Sequence, residues 1–176
     1  MDFDLFNYDK YIVSFSGGKD STALLLFLID NGVDKSKIEL WHQEIDGRGE
    51  NFFDWEVTPD YCKKLAEAFG VSVFFQWKDG GFKREMLRCN ERTAKIFYEC
   101  PDNTIHSVGG EKGKCSTRLK FPQPSPNLNV RWCSSYLKMM SVRLPSGTRS
   151  VLTVSEHWCY LEKEVRKVSS VPVMPF

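Results

Sequence analysis

The first eighty residues alternate between short apolar runs and longer stretches with helical spacing. The pattern predicts strands at Tyr11–Phe15, Lys37–His42 and Val71–Gln76, because each is short and rich in β-branched and aromatic residues. It predicts helices at Asp20–Asn31 and Pro59–Phe69, each followed by a glycine stop signal. Strand and helix alternating at these spacings indicate right-handed βαβ units. The predicted fold class is therefore α/β, a mainly parallel twisted sheet with helices on both faces.

The second half of the chain has a less regular pattern. Phe82–Cys89, Glu91–Tyr98 and Trp132–Met140 are predicted to be helical, and Ser150–Ser155 to be a further sheet strand. The segment Gly109–Asn129 is rich in Gly, Pro, Ser and Asn, which predicts a long loop. A loop of that length inside a compact domain is usually functional or mobile.

Composition narrows the class of protein. The chain has 176 residues, of which 41% are hydrophobic and 27% charged, as expected of one globular domain rather than a disordered chain. Its longest apolar run, Ala23–Ile29, is too short to cross a bilayer, and the acidic N-terminus does not resemble a signal peptide. The six cysteines include no C-x-x-C pair. We therefore predict a cytoplasmic protein with reduced thiols and no membrane partner.

The net charge of +1 conceals a strong asymmetry along the chain. Residues 1–111 carry 13 basic and 20 acidic side chains, a net charge of −7, whereas residues 112–149 carry eight basic side chains and no acidic one. A stretch of this kind is either a solvated loop or a surface that holds an anion such as a phosphate, a sulfate or a nucleic-acid backbone.

The first predicted strand runs directly into SGGKDST, residues 16–22, and then into the first helix. Two glycines let a backbone turn sharply and approach a ligand, and a helix N-terminus offers free N–H groups and a positive dipole end. The sequence therefore predicts a phosphate cradle at the carboxyl end of a parallel strand. The candidate phosphate contacts are Ser16, Gly17, Gly18, Lys19, Asp20, Ser21 and Thr22.

Two better-known loops do not fit this segment. A Walker A loop would need a glycine where Val13 stands and a serine or threonine where Asp20 stands. A nucleophile elbow would need a glycine at Ser14.

The sequence SGGKDS resembles the PP-loop, S-G-G-x-D-S, of the ATP pyrophosphatase superfamily. Within it, residues 8–155 are most similar to the phosphoadenosine phosphosulfate (PAPS) reductase family. Arg131–Lys138 resembles that family's R-x-C-x-x-x-L-K segment, and Cys115–Lys120 resembles a partner segment across its site. We accordingly divide the chain into a nucleotide-binding domain at 1–155 and a divergent or truncated tail at 156–176.

This resemblance implies an adenine nucleotide, either ATP with Mg²⁺ or an adenylyl sulfate such as PAPS, and an adenine nucleotide alpha hydrolase-like fold. It implies an enzyme that acts at the α-phosphate of ATP, with or without sulfur transfer, or on the adenylyl sulfate. Lys120, Arg131 and Lys138 would hold the anionic part of the ligand. The implied catalytic residues are Lys19, Asp20, Cys115 and Cys133, with Asp20 also as the metal ligand.

One departure from the family limits the expected chemistry. Sulfonucleotide reductases typically carry a catalytic cysteine in a C-terminal E-C-G-x-H segment, which this chain lacks. The segment that contains Cys159 has similar residues in a different order. We therefore expect no PAPS reduction, whereas ATP-dependent sulfur transfer, as in the sulfurtransferases of DNA phosphorothioation, remains compatible with the sequence.

Several alternatives stay open at this stage. Asp20 is either a helix N-cap or a phosphate-side Mg²⁺ ligand, and the two candidate catalytic cysteines are either inert core thiols or thiolates favoured by basic neighbours. Glu44 and Asp46 follow a strand, where a ribose hydroxyl could meet them. A less favoured zinc or iron–sulfur site would use Cys100, His106, Cys115 and Cys133. The alternative functions are a non-catalytic nucleotide-binding module and a nucleic-acid-binding protein that uses residues 112–149. The acceptor substrate, nucleic acid among the candidates, and the oligomeric state stay undetermined.

Overall fold

The computed structural model describes residues 5–121, Leu137 and 150–154. Within these residues the chain forms two compact units that are interleaved in sequence. The described part of the first unit comprises residues 5–41, 62–73 and 150–154, and that of the second comprises 42–61, 74–121 and Leu137. The predicted boundary between residues 155 and 156 lies outside the described residues.

Within the described residues, six strands form one mixed sheet with the order β5-β4-β3-β2-β1-β6. They are β1 Lys10–Ser14, β2 Ile38–Glu44, β3 Ser72–Lys78, β4 Ile96–Glu99, β5 Ile105–Val108 and β6 Val151–Val154. Strand β1 is parallel to both β2 and β6, whereas β4 is antiparallel to both β3 and β5. The prediction of an α/β fold with a mostly parallel sheet is confirmed.

In the described part of the chain, three α-helices accompany the strands: α1 Lys19–Asp30, α2 Thr58–Phe69 and α3 Gly81–Leu87. The bounds of α1 and α2 lie within one residue of those predicted, and a short 3-10 helix, Lys35–Lys37, precedes β2. The predicted helix at 82–89 is also present as α3, although it begins and ends earlier. No helix in the described part of the chain is long and apolar enough to cross a membrane.

The core of the first unit follows from the two apolar runs around residue 20. Strand β1 buries the consecutive side chains Tyr11, Ile12 and Val13, which is typical of a parallel strand rather than a half-exposed antiparallel one. Helix α1 buries one face, including Leu24, Leu25 and Leu28, and leaves Phe27 partly exposed. The spacing of the buried residues is that of one helical stripe.

The prediction of a helix over 91–98 is wrong. Glu91 forms an isolated antiparallel bridge with Ser116, and Ile96–Glu99 is strand β4, the first strand of a hairpin with β5. A β-branched and aromatic sequence, Ile-Phe-Tyr, favours the pleated conformation once a partner strand is present. The hairpin turns where Asp102 Oδ1 accepts hydrogen bonds from the Thr104 N–H and hydroxyl, and this Pro-Asp-Asn-Thr signal is visible in the sequence.

Two other predicted elements are only partly covered by the described residues. The loop predicted from residue 109 is irregular as far as residue 121, apart from the bridge at Ser116. Of the helix predicted at 132–140, only Leu137 is described, as a buried turn residue.

Candidate functional site

The loop between β1 and α1 has the backbone geometry expected of a phosphate cradle. Gly17 adopts φ +78°, the left-handed region that a side chain occupies only at a cost. Gly18 is the N-cap of α1, with an extended conformation and no side-chain capping bond. The first turn of an α-helix has N–H groups without intrahelical partners. Because no side chain at the N-cap accepts hydrogen bonds from these N–H groups, they are available to a ligand.

The hydroxyl groups of the loop hold its shape. Ser21 Oγ and Thr22 Oγ1 donate to the Gly18 carbonyl oxygen at 3.0 and 2.9 Å, and Ser21 is completely buried. Ser16 Oγ lies 3.3 Å from Ser21 Oγ and 3.4 Å from the Gly18 nitrogen. The three hydroxyls that the sequence offered as phosphate donors therefore meet around Gly18, and in this arrangement they brace the turn.

Lys19 and Asp20 are the charged side chains of the loop. Both lie in the first turn of α1 and are exposed, and neither forms an ion pair with another described residue. Since Gly18 is the N-cap, Asp20 is not, and the capping alternative for this carboxylate is wrong. One exposed cation and one exposed carboxylate thus stand beside the free backbone donors.

Glu44 and Asp46, predicted to follow a strand near the nucleotide, belong to the second unit. They lie at the end of β2 and line a cleft of about 190 Å³ together with His42, Arg48 and Trp55. Glu44 Oε2 accepts a hydrogen bond from Arg48 Nε at 3.2 Å. Asp46 is buried, and its Oδ1 has no hydrogen-bond partner among the described residues. Asp46 therefore lines the cleft, with its Oδ1 atom itself shielded from solvent.

Two further predicted residues, Cys115 and Lys120, are described, and both are exposed. Cys115 lines a second cleft of the second unit, about 400 Å³, whose other side chains include Arg84, Arg92 and Lys95. Its position is set by the neighbouring bridge between Glu91 and Ser116, in which each backbone N–H donates to the other residue's carbonyl oxygen. The remaining predicted site residues, Arg131, Cys133 and Lys138, lie outside the described residues.

Of the cysteine and histidine residues predicted as ligands for zinc or an iron–sulfur cluster, Cys100, His106 and Cys115 are among the described residues. Cys100 is buried, whereas Cys115 is exposed and the His106 Nε2 atom lies 2.9 Å from Thr104 Oγ1. Across the described residues, no three His, Cys, Asp or Glu side chains converge as they would around a metal ion.

Sequence reasoning missed a buried charge cluster in the second unit. Glu85 Oε1 accepts hydrogen bonds from the Ala94 N–H at 2.7 Å and from Thr93 Oγ1 at 2.9 Å, and it lies 3.7 Å from Lys78 Nζ. Glu85 Oε2 accepts a hydrogen bond from Arg88 at 3.1 Å. Burial lowers the pKa of Lys78; the Glu85 carboxylate opposes this shift and the Arg88 charge adds to it. Single-sequence patterns place such residues on a surface, since charged side chains are rarely buried unless they are paired.

Comparisons with protein-family models, curated proteins and solved structures found no match to this chain.

Proposed function

We propose that the loop 16–22 binds the phosphate groups of an adenine nucleotide and that the protein is an enzyme of the PAPS reductase-like class. Its substrate would be ATP, attacked at the α-phosphate, or an adenylyl sulfate. The observation that supports this most strongly is the loop itself. The SGGKDS sequence coincides with a left-handed Gly17 and an uncapped helix N-terminus directly after a parallel strand. An adenine nucleotide alpha hydrolase-like arrangement, with helices on both faces of the sheet, is part of the same proposal.

The chemistry follows from where negative charge develops. In the ATP reaction an acceptor attacks the α-phosphorus, the bond from that phosphorus to the α–β bridging oxygen breaks, and pyrophosphate leaves with the electron pair. The backbone N–H groups at the start of α1 and the Lys19 ammonium would stabilise the charge on the leaving group. No side-chain nucleophile is needed, because the acceptor supplies the attacking atom.

Magnesium fits this site through one carboxylate. Asp20 is exposed in the first turn of α1 and has no ion-pair partner among the described residues. Proteins commonly hold Mg²⁺ with one or two carboxylates together with substrate phosphates. When bound, the ion would neutralise phosphate charge. Sulfur transfer would additionally require a thiolate, for which the sequence offers Cys133 and Cys115.

Two matched glycine variants test the loop. Gly17→Ala and Gly32→Ala impose a similar backbone strain, because the two residues have φ +78° and +80° and lie near opposite ends of α1. Both variants should lower the melting temperature. Only the Gly17 variant should lose the stabilisation by ATP with Mg²⁺, by adenylyl sulfate or by PAPS. For a ligand at a hundred times its dissociation constant, that stabilisation is about 2.7 kcal/mol.

The outcome separates the candidate functions. Release of pyrophosphate or AMP from ATP supports the enzyme, and binding without turnover supports a nucleotide-binding module. An equal ligand response in both glycine variants would remove the loop from the binding site. Steeply salt-dependent binding of DNA or RNA without any nucleotide response would support the nucleic-acid alternative instead.

A further inference from the structure

Residues 50–61 form an unusual surface of the second unit, which we call the acidic aromatic patch. Trp55 is 79% exposed and Val57 66%, and three other large side chains in the segment are about half exposed: Phe52, Phe53 and Tyr61. The same twelve residues contain four carboxylates and no lysine or arginine: Glu50, Asp54, Glu56 and Asp60.

The patch is held in place by buried groups. Asp46 Oδ2 accepts hydrogen bonds from the backbone N–H groups of Phe52, Phe53 and Asp54 at 3.0, 2.7 and 2.8 Å. The Phe53 ring stacks on the buried Phe82 ring with 4.5 Å between centroids. A buried carboxylate that takes three consecutive amides fixes this segment, so the exposed aromatic side chains project from an ordered backbone.

The apolar surface of the patch is comparable to the largest apolar patch that a typical monomer exposes. From the fractional exposures and the usual size of these side chains, it presents on the order of 500 Å² of apolar area. The largest apolar patch of a typical monomer is about 300–600 Å² and is often functional. Aromatic side chains are also enriched in protein interfaces.

The charge of the patch determines what can cover it. Lys83 pairs with Glu50 at 2.9 Å, so four carboxylates and this one lysine leave the surface with a net charge of −3. That charge disfavours a phosphate backbone and favours a cationic partner that also offers apolar side chains. The chain itself contains such a surface at 112–121, which we call the basic segment. It has four basic residues and no acidic one, and its Leu119 and Phe121 are 55% and 61% exposed.

The two surfaces adjoin within the second unit. The buried Phe82 ring lies 4.5 Å from the Phe53 ring and 5.8 Å from the Phe121 ring, centroid to centroid. An acidic and a basic apolar surface side by side form a self-complementary face. A two-fold axis through that face would place the acidic aromatic patch of each copy on the basic segment of the other.

We propose that the protein forms a two-fold symmetric homodimer in which the acidic aromatic patch of each copy contacts the basic segment of the other. The proposal does not depend on nucleotide binding. Its energetic centre is Trp55, because central, desolvated tryptophans dominate the energy of many interfaces. Its charge pairs set orientation and partner choice.

Sedimentation of the full chain at increasing concentration tests the proposal. The wild-type protein should show a monomer–dimer equilibrium, and Trp55→Ser should weaken the dimer about thirtyfold, the change expected for an interface hot spot. Because the Trp55 side chain is exposed, this substitution should not disturb folding. Lys64→Glu, an exposed change on α2 in the first unit, is the matched control and should leave the equilibrium unchanged.

A charge-swap experiment distinguishes a second copy from any other partner. Glu56→Lys with Asp60→Lys in one chain, and Lys112→Glu with Lys114→Glu in another, should each weaken self-association, because each pair of changes removes the net charge that attracts its surface to the other. A mixture of the two chains should form a heterodimer, because opposite charges then face each other at one of its two contacts. A wild-type protein that stays monomeric overturns the proposal, even if the patch binds a synthetic oligoarginine peptide. A dimer that persists in the Trp55 and charge variants also overturns it.

Discussion

The two compact units bury different kinds of groups. Among the described residues, the first unit buries a mainly apolar core around β1 and α1, with Ser21 and Glu39 as its buried polar side chains. The second unit buries seven polar or charged side chains: His42, Gln43, Asp46, Gln76, Lys78, Glu85 and Arg88.

This difference separates two ways of building a site. In the first unit the donors are backbone N–H groups at a helix start, so the apolar core only has to hold a strand, a turn and a helix in place. In the second unit, buried carboxylates hold irregular segments in place through hydrogen bonds. Asp46 holds residues 52–54, and Glu85 holds residues 93–94. Loops that lack a regular backbone ladder need such acceptors, because buried N–H groups must be satisfied.

The largest effect is expected when the buried charge cluster of the second unit loses Glu85. Glu85→Ala leaves Lys78 and Arg88 without their shared buried counterion, and it removes an acceptor from two further donors. Loss of one partner of a buried ion pair costs about 3–5 kcal/mol. Urea denaturation should show a loss of this size, against less than about 0.5 kcal/mol for the exposed control Glu67→Ala. A loss below about 1 kcal/mol would mean that the cluster does not stabilise the second unit.

A smaller effect is expected at Asp46. Asp46→Ala removes the acceptor of three backbone N–H groups and should cost about 1–3 kcal/mol. The local readout is amide hydrogen exchange, which should accelerate in a peptide that spans residues 51–57. Glu67→Ala, an exposed change on α2 outside the patch, serves as the control. Unchanged exchange in the Asp46 variant would show that other contacts hold the patch.

The smallest effect concerns pH. Burial lowers the pKa of Lys78 in the folded protein, so the unfolded chain binds more protons between that lowered value and the ordinary lysine pKa of about 10.4. The contribution of this group to stability therefore rises with pH across that window. Lys78→Met lacks the rise, so the wild-type protein should gain stability relative to the variant as pH increases, by at most about 1.4 kcal/mol per pH unit.

Urea titrations at a series of neutral to alkaline pH values would measure that difference. The exposed Lys64→Met is the matched control for the replacement of a lysine by methionine. Parallel stability curves for wild type and Lys78→Met would show that Lys78 titrates in the folded protein as it does in the unfolded chain.

The amino-acid sequence alone predicted the first unit well. The strand at 10–14, the helix at 19–30 and the glycine turn between them were predicted to within a residue or two. These elements depend on local information: apolar runs of the right length, a helix stop signal, and glycines where the backbone turns. The candidate phosphate loop was visible for the same reason, because its donors belong to the main chain and not to distant side chains.

Only the tertiary structure decided the hairpin, the buried charge cluster and the ordered patch of the second unit. Residues 96–99 became a strand through pairing with 105–108 and with β3, and pairing partners cannot be identified from one segment alone. Lys78, Glu85 and Arg88 look like surface residues in sequence, and what makes their burial tolerable is their approach to one another across a strand and a helix. Likewise, the aromatic side chains of residues 52–57 are of types that the sequence alone would assign to a core, yet they are exposed. Asp46 holds the backbone of residues 52–54 through contacts that no periodicity predicts.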